Sequence, residues 1–340
     1  MIGAALSRIA AGGTLERAEM RDVIGAIMGG DASELEVAAL LAALHTRGET
    51  LEELVGAAQA LRELAVELPE APPGAIDTCG TGGGGVGTFN ISTLAALVVA
   101  AAGVPVAKHG NRAATSRCGS ADLLEALGVP VDAPPPRMAR AVGEVGIGFL
   151  FARTCHPAMK RVAPIRSALP IPTVFNRLGP LAHPMGVKRQ LVGVAERSML
   201  DSTLEALVEL GAECAWVFHS ADAKDEISLS GPTEVLRCCE GHIEAFQLEP
   251  GDYVSEAGLE ALRGGDVAAN VRVARAVLGG APGAQRDAVA LAAGAALCVA
   301  GRAADLAVGV SEAQRLLESG AAGALLERWI AFLAEPGAAT

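Results

Sequence analysis

At a proline-rich joint, Pro69 to Gly74, the hydrophobic pattern of this 340-residue chain changes period, and that change limits the fold more than any other feature. Upstream, apolar residues recur every three or four positions, the spacing of amphipathic helices. Downstream of Ala75, short apolar runs alternate with helix-length segments, as β-α-β units around a parallel sheet require. The sequence therefore predicts an α/β protein in two parts. A small helical domain covers 1–70, joined by part of 164–186, and a larger α/β domain with a mostly parallel central sheet covers 71–335.

Local signals fill in the elements. Ser33-Glu34-Leu35-Glu36 and Thr50-Leu51-Glu52-Glu53 each place a hydroxyl three residues before a Glu, the arrangement of a capping box. Val37, Leu40, Leu41 and Leu44 follow the first box on one face, and Leu54, Ala58, Leu61 and Ala65 follow the second. Gly29-Gly30 and Gly48 supply the stops. Strands are expected at 75–77, 104–107, Ile147–Phe151, 190–194 and 215–219, and a hairpin over 235–248 turning at Glu240-Gly241. Helices are expected at 120–127 and 199–210. Five prolines between Pro164 and Pro184 interrupt the alternation, which suits a segment crossing back to the helical part.

Composition excludes some functions. Hydrophobic residues make up 51% of the chain but aromatic ones only 3%, so the core is built from Ala, Val and Leu. A net charge of −12 repels nucleic-acid phosphates and anionic membranes. The cysteines at 79, 118, 155, 214, 238, 239 and 298 form no C-x-x-C pair, and adjacent Cys238-Cys239 cannot bridge without strain; this reads as a reducing cytoplasm. Arg8, Glu16 and Arg17 break the apolar N-terminal segment, which reads as no signal peptide. The apolar stretch 94–107 contains Gly103 and Pro105 and is too short to span a bilayer.

Three stretches carry chemistry. Gly80-Thr81-Gly82-Gly83-Gly84-Gly85-Val86-Gly87-Thr88-Phe89-Asn90-Ile91-Ser92-Thr93 lies between a short strand and an apolar helix. Glycines there let the backbone approach an anion, and Ser92 and Thr93 sit where the helix N-terminus adds partial positive charge. A flexible surface loop is the plain alternative, because the run matches neither a P-loop nor a clean G-x-G-x-x-G fingerprint. Lys108-His109-Gly110-Asn111-Arg112 follows the strand 104–107, with Ser116, Arg117 and Ser120 close behind. At the carboxyl end of a sheet strand this suits a diphosphate or a 5′-phosphate, against the alternative of a solvated turn. Asp225-Glu226 follows the strand 215–219 and offers the paired carboxylates that Mg²⁺ takes when it also ligates phosphate oxygens. Acidic pairs are usually solvated surface. His156 and Arg166 carry little signal singly, and His45, His183, His219 and His242 lack metal-ligand spacing.

Taken together, G-T-G-G (80–83), T-F-N-I-S-T (88–93), K-H-G-N-R (108–112), H-P-A-M-K (156–160), F-N-R-L-G-P-L (175–181), D-E (225–226) and L-R-G-G-D (262–266) resemble the anthranilate phosphoribosyltransferases of tryptophan biosynthesis over nearly the whole chain. The resemblance implies a fold similar to nucleoside phosphorylases, with transfer of the phosphoribosyl group from phosphoribosyl diphosphate to the amine of anthranilate. It implies Mg²⁺ as cofactor, a homodimer through the helices, and no nucleic-acid or membrane partner. It implies donor contacts at Gly80, Gly83, Gly84, Thr88, Asn90, Ser92, Thr93, Lys108, Ser116 and Ser120. Ser92, Asp225 and Glu226 would hold metal. Gly80, Asn111, His156 and Arg166 would face anthranilate, and Lys108, His109 and Asn111 would serve the chemistry. The chain departs from the family pattern at Gly84 (Asp in the family), Pro170 (a common Gly), Pro172 (Arg) and His183 (Asn). A paralogue using another aromatic amine, a nucleoside phosphorylase and a nucleic-acid-binding relative are the alternatives.

Overall fold

The computed structural model describes residues 1–83, 87–113 and 117–335. Four helices open the chain: α1 (Ile2–Ala10), α2 (Arg17–Gly29), α3 (Glu34–Arg47) and α4 (Leu51–Glu63). Both predicted capping boxes form: the Ser33 hydroxyl accepts from Glu36 N–H, and Thr50 from Glu53 N–H. Glu53 is fully buried yet satisfied, accepting from Leu15 N (2.9 Å) and Thr50 N (2.9 Å) and pairing with Arg47. A charge shut away from water is tolerable only when it is paired and hydrogen-bonded in this way. Met20, Ile24, Leu40, Leu41, Leu44 and Leu54 fill the space between the helices.

The rest winds around one sheet: β1 (Ile76–Gly80), α5 (Ile91–Ala101), β2 (Val106–Gly110), α6 (Ser120–Ala126), α7 (Pro135–Glu144), β3 (Ile147–Phe151), α8 (Ala152–Cys155), α9 (Ala163–Ala168), α10 (Val174–Leu181), β4 (Arg189–Gly193), α11 (Leu200–Glu209), β5 (Cys214–Ser220), β6 (Thr233–Cys239) and β7 (His242–Leu248). The tail is α12 (Val267–Leu278), α13 (Ala284–Val299), α14 (Leu306–Glu318) and α15 (Ala321–Ala334). The strand order is β3-β2-β1-β4-β5-β6-β7. The first four neighbour pairs are parallel, and β5–β6 and β6–β7 are antiparallel. Period-two alternation divides the strands between two cores. Leu191, Trp216 and Phe218 join α5 and α13 on one face, whereas Val192, Ala215 and Val217 join the helical part on the other.

The proline-rich segment does cross back: Ile165, Val174, Phe175, Leu178 and Leu181 pack in the core of the N-terminal helices. Arg62 Nε donates to Leu181 O at 2.8 Å, and Arg177 pairs with Glu49 at 3.2 Å, both holding α10 to the helical part. The hairpin turns at Glu240-Gly241 as expected, with φ of 53° and 79°.

Two expectations need correction. β1 and β2 run three residues further than the sequence suggests, so Lys108, His109 and Gly110 belong to a strand rather than to a loop after it. Polarity failed to mark the strand end because these groups are buried and bonded within the sheet. Nor are the cysteines all unpaired: Cys214 lies opposite Cys239 in the antiparallel register and is bonded to it. A separation of 25 residues carried no sign of that pairing. Among the described residues, no helix is long and apolar enough to cross a membrane.

Candidate active site

The end of β1 is pinned to β4 by its backbone: Thr81 N donates to Gly193 O (2.9 Å), and Ala195 N to Thr81 Oγ1 (3.1 Å). The loop after β5 lies directly on this corner. A Cβ on Gly193 would stand 2.0 Å from the carbonyl oxygen of Asp225, and one on Gly80 would stand 3.0 Å from Asp225 Oδ2. Both positions exclude side chains so that the acidic loop can approach. Gly82 and Gly83 turn through positive φ (67° and 85°). Gly84 and Ser116, both expected at the donor, lie outside the described residues.

The N-terminus of α5 completes the corner. Asn90 leaves the helix uncapped, donating from Nδ2 to Cys118 O (3.0 Å), while its buried Oδ1 has no hydrogen-bond partner among the described residues. The Ser92 backbone hydrogen-bonds to the Glu226 carboxylate, so the partly positive helix end meets a carboxylate. Ser92, Asp225 and Glu226 line one small cavity with Thr78 and Cys79. Burial, with the Asp225 charge added, pushes the Glu226 carboxyl up to about 8, although Lys108 and the Ser92 backbone pull the other way. Burial also raises Asp225, against a hydrogen bond from the Gly82 backbone. Neither carboxylate has an ion-pair partner among the described residues. Such a pair calls for a cation, and Mg²⁺ fits its hard oxygen ligands. No set of three or more His, Cys, Asp or Glu is built among the described residues to hold a metal unaided. The remaining ligands would therefore come from a hydroxyl and from a phosphate-bearing ligand.

Side-chain bonds fix the acidic loop from behind. Asp222 accepts from Ala223 N (2.7 Å) and Ser228 Oγ (3.0 Å). Ser220 Oγ donates to Glu226 O (2.8 Å) and meets Thr233 Oγ1 at 2.7 Å. Sequence reasoning missed Asp222, Ser220 and Ser228; the only available signal was the density of Ser and Asp around Asp225-Glu226. Thr88 is held in a bridge with Arg263, and Phe89 N donates to Leu262 O (3.0 Å). This fastens the glycine loop to the 262–266 motif.

Facing the acidic pair is β2. Lys108 is buried and donates from Nζ to Thr78 O. His109 N donates to Asp77 Oδ1 at 3.2 Å, and its ring Nδ1 lies 3.2 Å from Gly179 O. The rings of His109, His156 and His183 form a buried cluster, with centroids 5.2 Å (109–156) and 5.8 Å (109–183) apart. Burial lowers all three and keeps them neutral, His183 down to about 3. His109 Nε2, both nitrogens of His156 and Thr93 Oγ1 are buried without a well-aligned partner among the described residues. Asp77, also missed from sequence, is fully buried between β2 and β4; burial pushes it up to about 6, against the Lys108 charge.

Arg112 is a correction. Its guanidinium pairs with Asp122 (3.0 Å) and Glu125 (2.8 Å), so it is committed to the opening of α6 rather than to a phosphate. Its pKa rises accordingly, first through the Glu125 bond. Ser120 is the first residue of α6, and Asn111 is exposed, its Oδ1 accepting from Arg112 N (2.8 Å). Arg166, in α9, has no carboxylate partner among the described residues and stacks over Phe175 at 5.7 Å. Neither Asn111 nor Arg166 touches the histidine cluster through a hydrogen bond or ring contact among the described residues.

Comparison with known proteins gives matches over both parts of the chain. The glycosyl transferase family a/b domain matches residues 72–323, and the family's helical bundle domain matches 4–65. The anthranilate phosphoribosyltransferase of Rubrobacter xylanophilus is 50% identical over 332 residues, covering 97% of both chains. The crystal structure of the Thermus thermophilus anthranilate phosphoribosyltransferase superposes with a TM-score of 0.92 at 48% identity, covering 97% of this chain and 99% of that one. The Saccharomyces cerevisiae enzyme in complex with PRPP and Mg superposes with a TM-score of 0.89 at 27% identity, covering 98% of each.

Proposed function

The chain belongs to the anthranilate phosphoribosyltransferase family, and from that premise we propose how its own residues hold donor, metal and acceptor. The reaction is transfer of the phosphoribosyl group from phosphoribosyl diphosphate to the amine of anthranilate, giving N-(5-phosphoribosyl)anthranilate and diphosphate. Mg²⁺ is the cofactor. The division into a helical domain (1–70, with part of 164–186) and a catalytic domain (71–335) is our reading of the two cores.

The observation that carries the site assignment is the unneutralised acid pair, Asp225 and Glu226, held at the N-terminus of α5 with Ser92 and opposite Lys108. Ser92, Asp225 and Glu226 hold the metal. Gly80, Gly83, Gly84, Thr88, Asn90, Ser92, Thr93, Lys108, Ser116 and Ser120 surround the donor. Anthranilate sits against Gly80, Asn111, His156 and Arg166, beside His109. Mg²⁺, when bound, neutralises charge on the departing diphosphate. Lys108 adds a fixed positive charge to the same group, and a preorganised charge stabilises the transition state without reorganising. The aryl amine of anthranilate is neutral at pH 7, so the neutral histidines need not act as strong bases. They position it. A homodimer through the helical part is our reading of the assembly. The enzyme's biosynthetic reaction is the ground on which we assign it to the cytoplasm.

Arg166 tests the acceptor side. Its planar fork suits a carboxylate bidentately, and an ammonium does not. Arg166→Lys, assayed over a panel of aminobenzoates with anthranilate included, is expected to raise the anthranilate KM roughly tenfold or more, the worth of one charge-assisted hydrogen bond. The donor KM stays unchanged. Equal rises in both would assign Arg166 to packing on Phe175.

A further inference from the structure

β1 pairs with β4 at five positions but with β2 at only one, Ile76 against Val106. Backbone groups in a strand alternate between its neighbours. Ile76 N donates to Pro105 O and Val106 N to Gly146 O (both 2.9 Å), which fixes the phase. The groups of Ala107 and His109 therefore face β1, and those of Thr78 face β2. Past Ile76 the ladder between these strands stops, yet the region is buried, where an unpaired backbone group is costly.

Side chains fill every one of the three positions just identified. His183 Nε2 lies 2.7 Å from Ala107 O, Asp77 Oδ1 takes His109 N–H at 3.2 Å, and Lys108 Nζ donates to Thr78 O. The tautomer of His183 is fixed on both sides. Its Nδ1 accepts from Met185 N (3.2 Å) and so is bare, leaving Nε2 to carry the proton toward Ala107. At 1% exposure the ring cannot reach a substrate.

We propose that His183 and Asp77 are positioning residues, whose side chains replace the missing β1–β2 backbone bonds and so set the direction in which Lys108 and His109 project. This rests on the assignment of Lys108 and His109 to the active site. The two brackets grip the residues on either side of Lys108: His183 holds the carbonyl before it and Asp77 the amide after it. Freed from one of them, β2 can shift by a fraction of an ångström toward a closed ladder, and the ammonium moves with it.

A Gln amide is attached to Cδ and stands as far out as Nε2, so it can serve Ala107. A Leu side chain at the same position can serve neither backbone group. With the full-length enzyme, Mg²⁺, phosphoribosyl diphosphate and anthranilate, His183→Gln is expected to keep kcat within about threefold, whereas His183→Leu lowers it by roughly tenfold to 10²-fold, the scale of small misplacements. Asp77→Asn, which retains an oxygen for His109 N–H, should likewise exceed Asp77→Val in kcat by about tenfold or more. Substrate KM values move less than kcat, and melting temperatures are measured alongside. Ring ¹⁵N NMR of the parent, independent of turnover, should show the His183 proton on Nε2. Equal kcat for Gln and Leu, a Leu variant as active as the parent, or a proton on Nδ1 overturns the proposal. Lys108→Met in the same assay tests the site assignment separately: full activity there defeats that assignment, whatever the His183 series gives.

Discussion

The two edges of β1 are built by different means. Toward β4 the backbone does the work: five registered positions, and glycines at 80 and 193 that let the Asp225 loop rest on the corner. Toward β2 the ladder is abandoned after one position, and Asp77, Lys108 and His183 supply the bonds. The first edge is specified by space, because only the smallest residue fits. The second is specified by hydrogen-bond chemistry, because donors and acceptors must stand at set distances. The paired acids Asp225 and Glu226 lie over the first, and Lys108 and the histidines hang from the second.

Removing the charge carried by the closed edge should produce the largest effect. Glu226→Gln preserves size but deletes a ligand charge at the α5 N-terminus, and turnover should fall on the order of 10³-fold, as when preorganised electrostatic groups are lost. Its carboxyl is held up to about 8 by burial and Asp225, so folding gains nothing from ionising it. The Gln variant therefore melts no lower than the parent in metal-free buffer. Near-normal turnover would remove Glu226 from the metal site.

A smaller effect follows from disturbing the geometry of that edge without touching a charge. In Gly193→Ala the new Cβ meets the Asp225 carbonyl at 2.0 Å, so the acidic loop must lift. Overpacking of this kind costs up to about 3 kcal/mol. The Mg²⁺ titration of activity should move to higher concentration together with a lowered melting temperature. A variant that melts lower but titrates normally would show that the loop and the corner are not coupled.

How far the sequence could be read divides along the same line. Capping boxes at Ser33 and Thr50, the Glu240-Gly241 turn and the proline-rich crossover were legible because each rests on neighbours in sequence. The acid pair Asp225-Glu226 stood out in sequence because its two carboxylates are adjacent. Asp77 and His183 were not, since no spacing links 77, 107 and 183; the sheet alone brings them together. Lys108 was assigned to the site but placed past the end of its strand, because a buried lysine bonded to a carbonyl looks, in sequence, like a loop residue. Cys214 and Cys239 met unannounced for the same reason.

The smallest of the expected effects concerns the open edge and acid. His183 is held near 3 in the folded protein, well below the ordinary histidine value of 6.5, first by burial and then by Arg62 and His156 nearby, against a contribution from Ala107 O that raises it. A base whose folded pKa is depressed contributes stability that is complete above its unfolded pKa and is lost as pH falls toward the folded one. Between pH 7 and pH 5 the unfolded chain takes up this proton and the folded protein does not, a loss of about 2 kcal/mol. His109 and His156 act in the same direction, while Asp77, raised to about 6, acts in the opposite one, since its burial favours the protonated form. Those three remain in His183→Gln, so the difference between the two proteins isolates residue 183. Urea denaturation at pH 7 and pH 5 should show the parent losing about 2 kcal/mol more than the Gln variant over that interval. Parallel losses in both proteins would mean that the ring is protonated or rearranged in the fold, and that the β1–β2 gap is not held by a neutral imidazole.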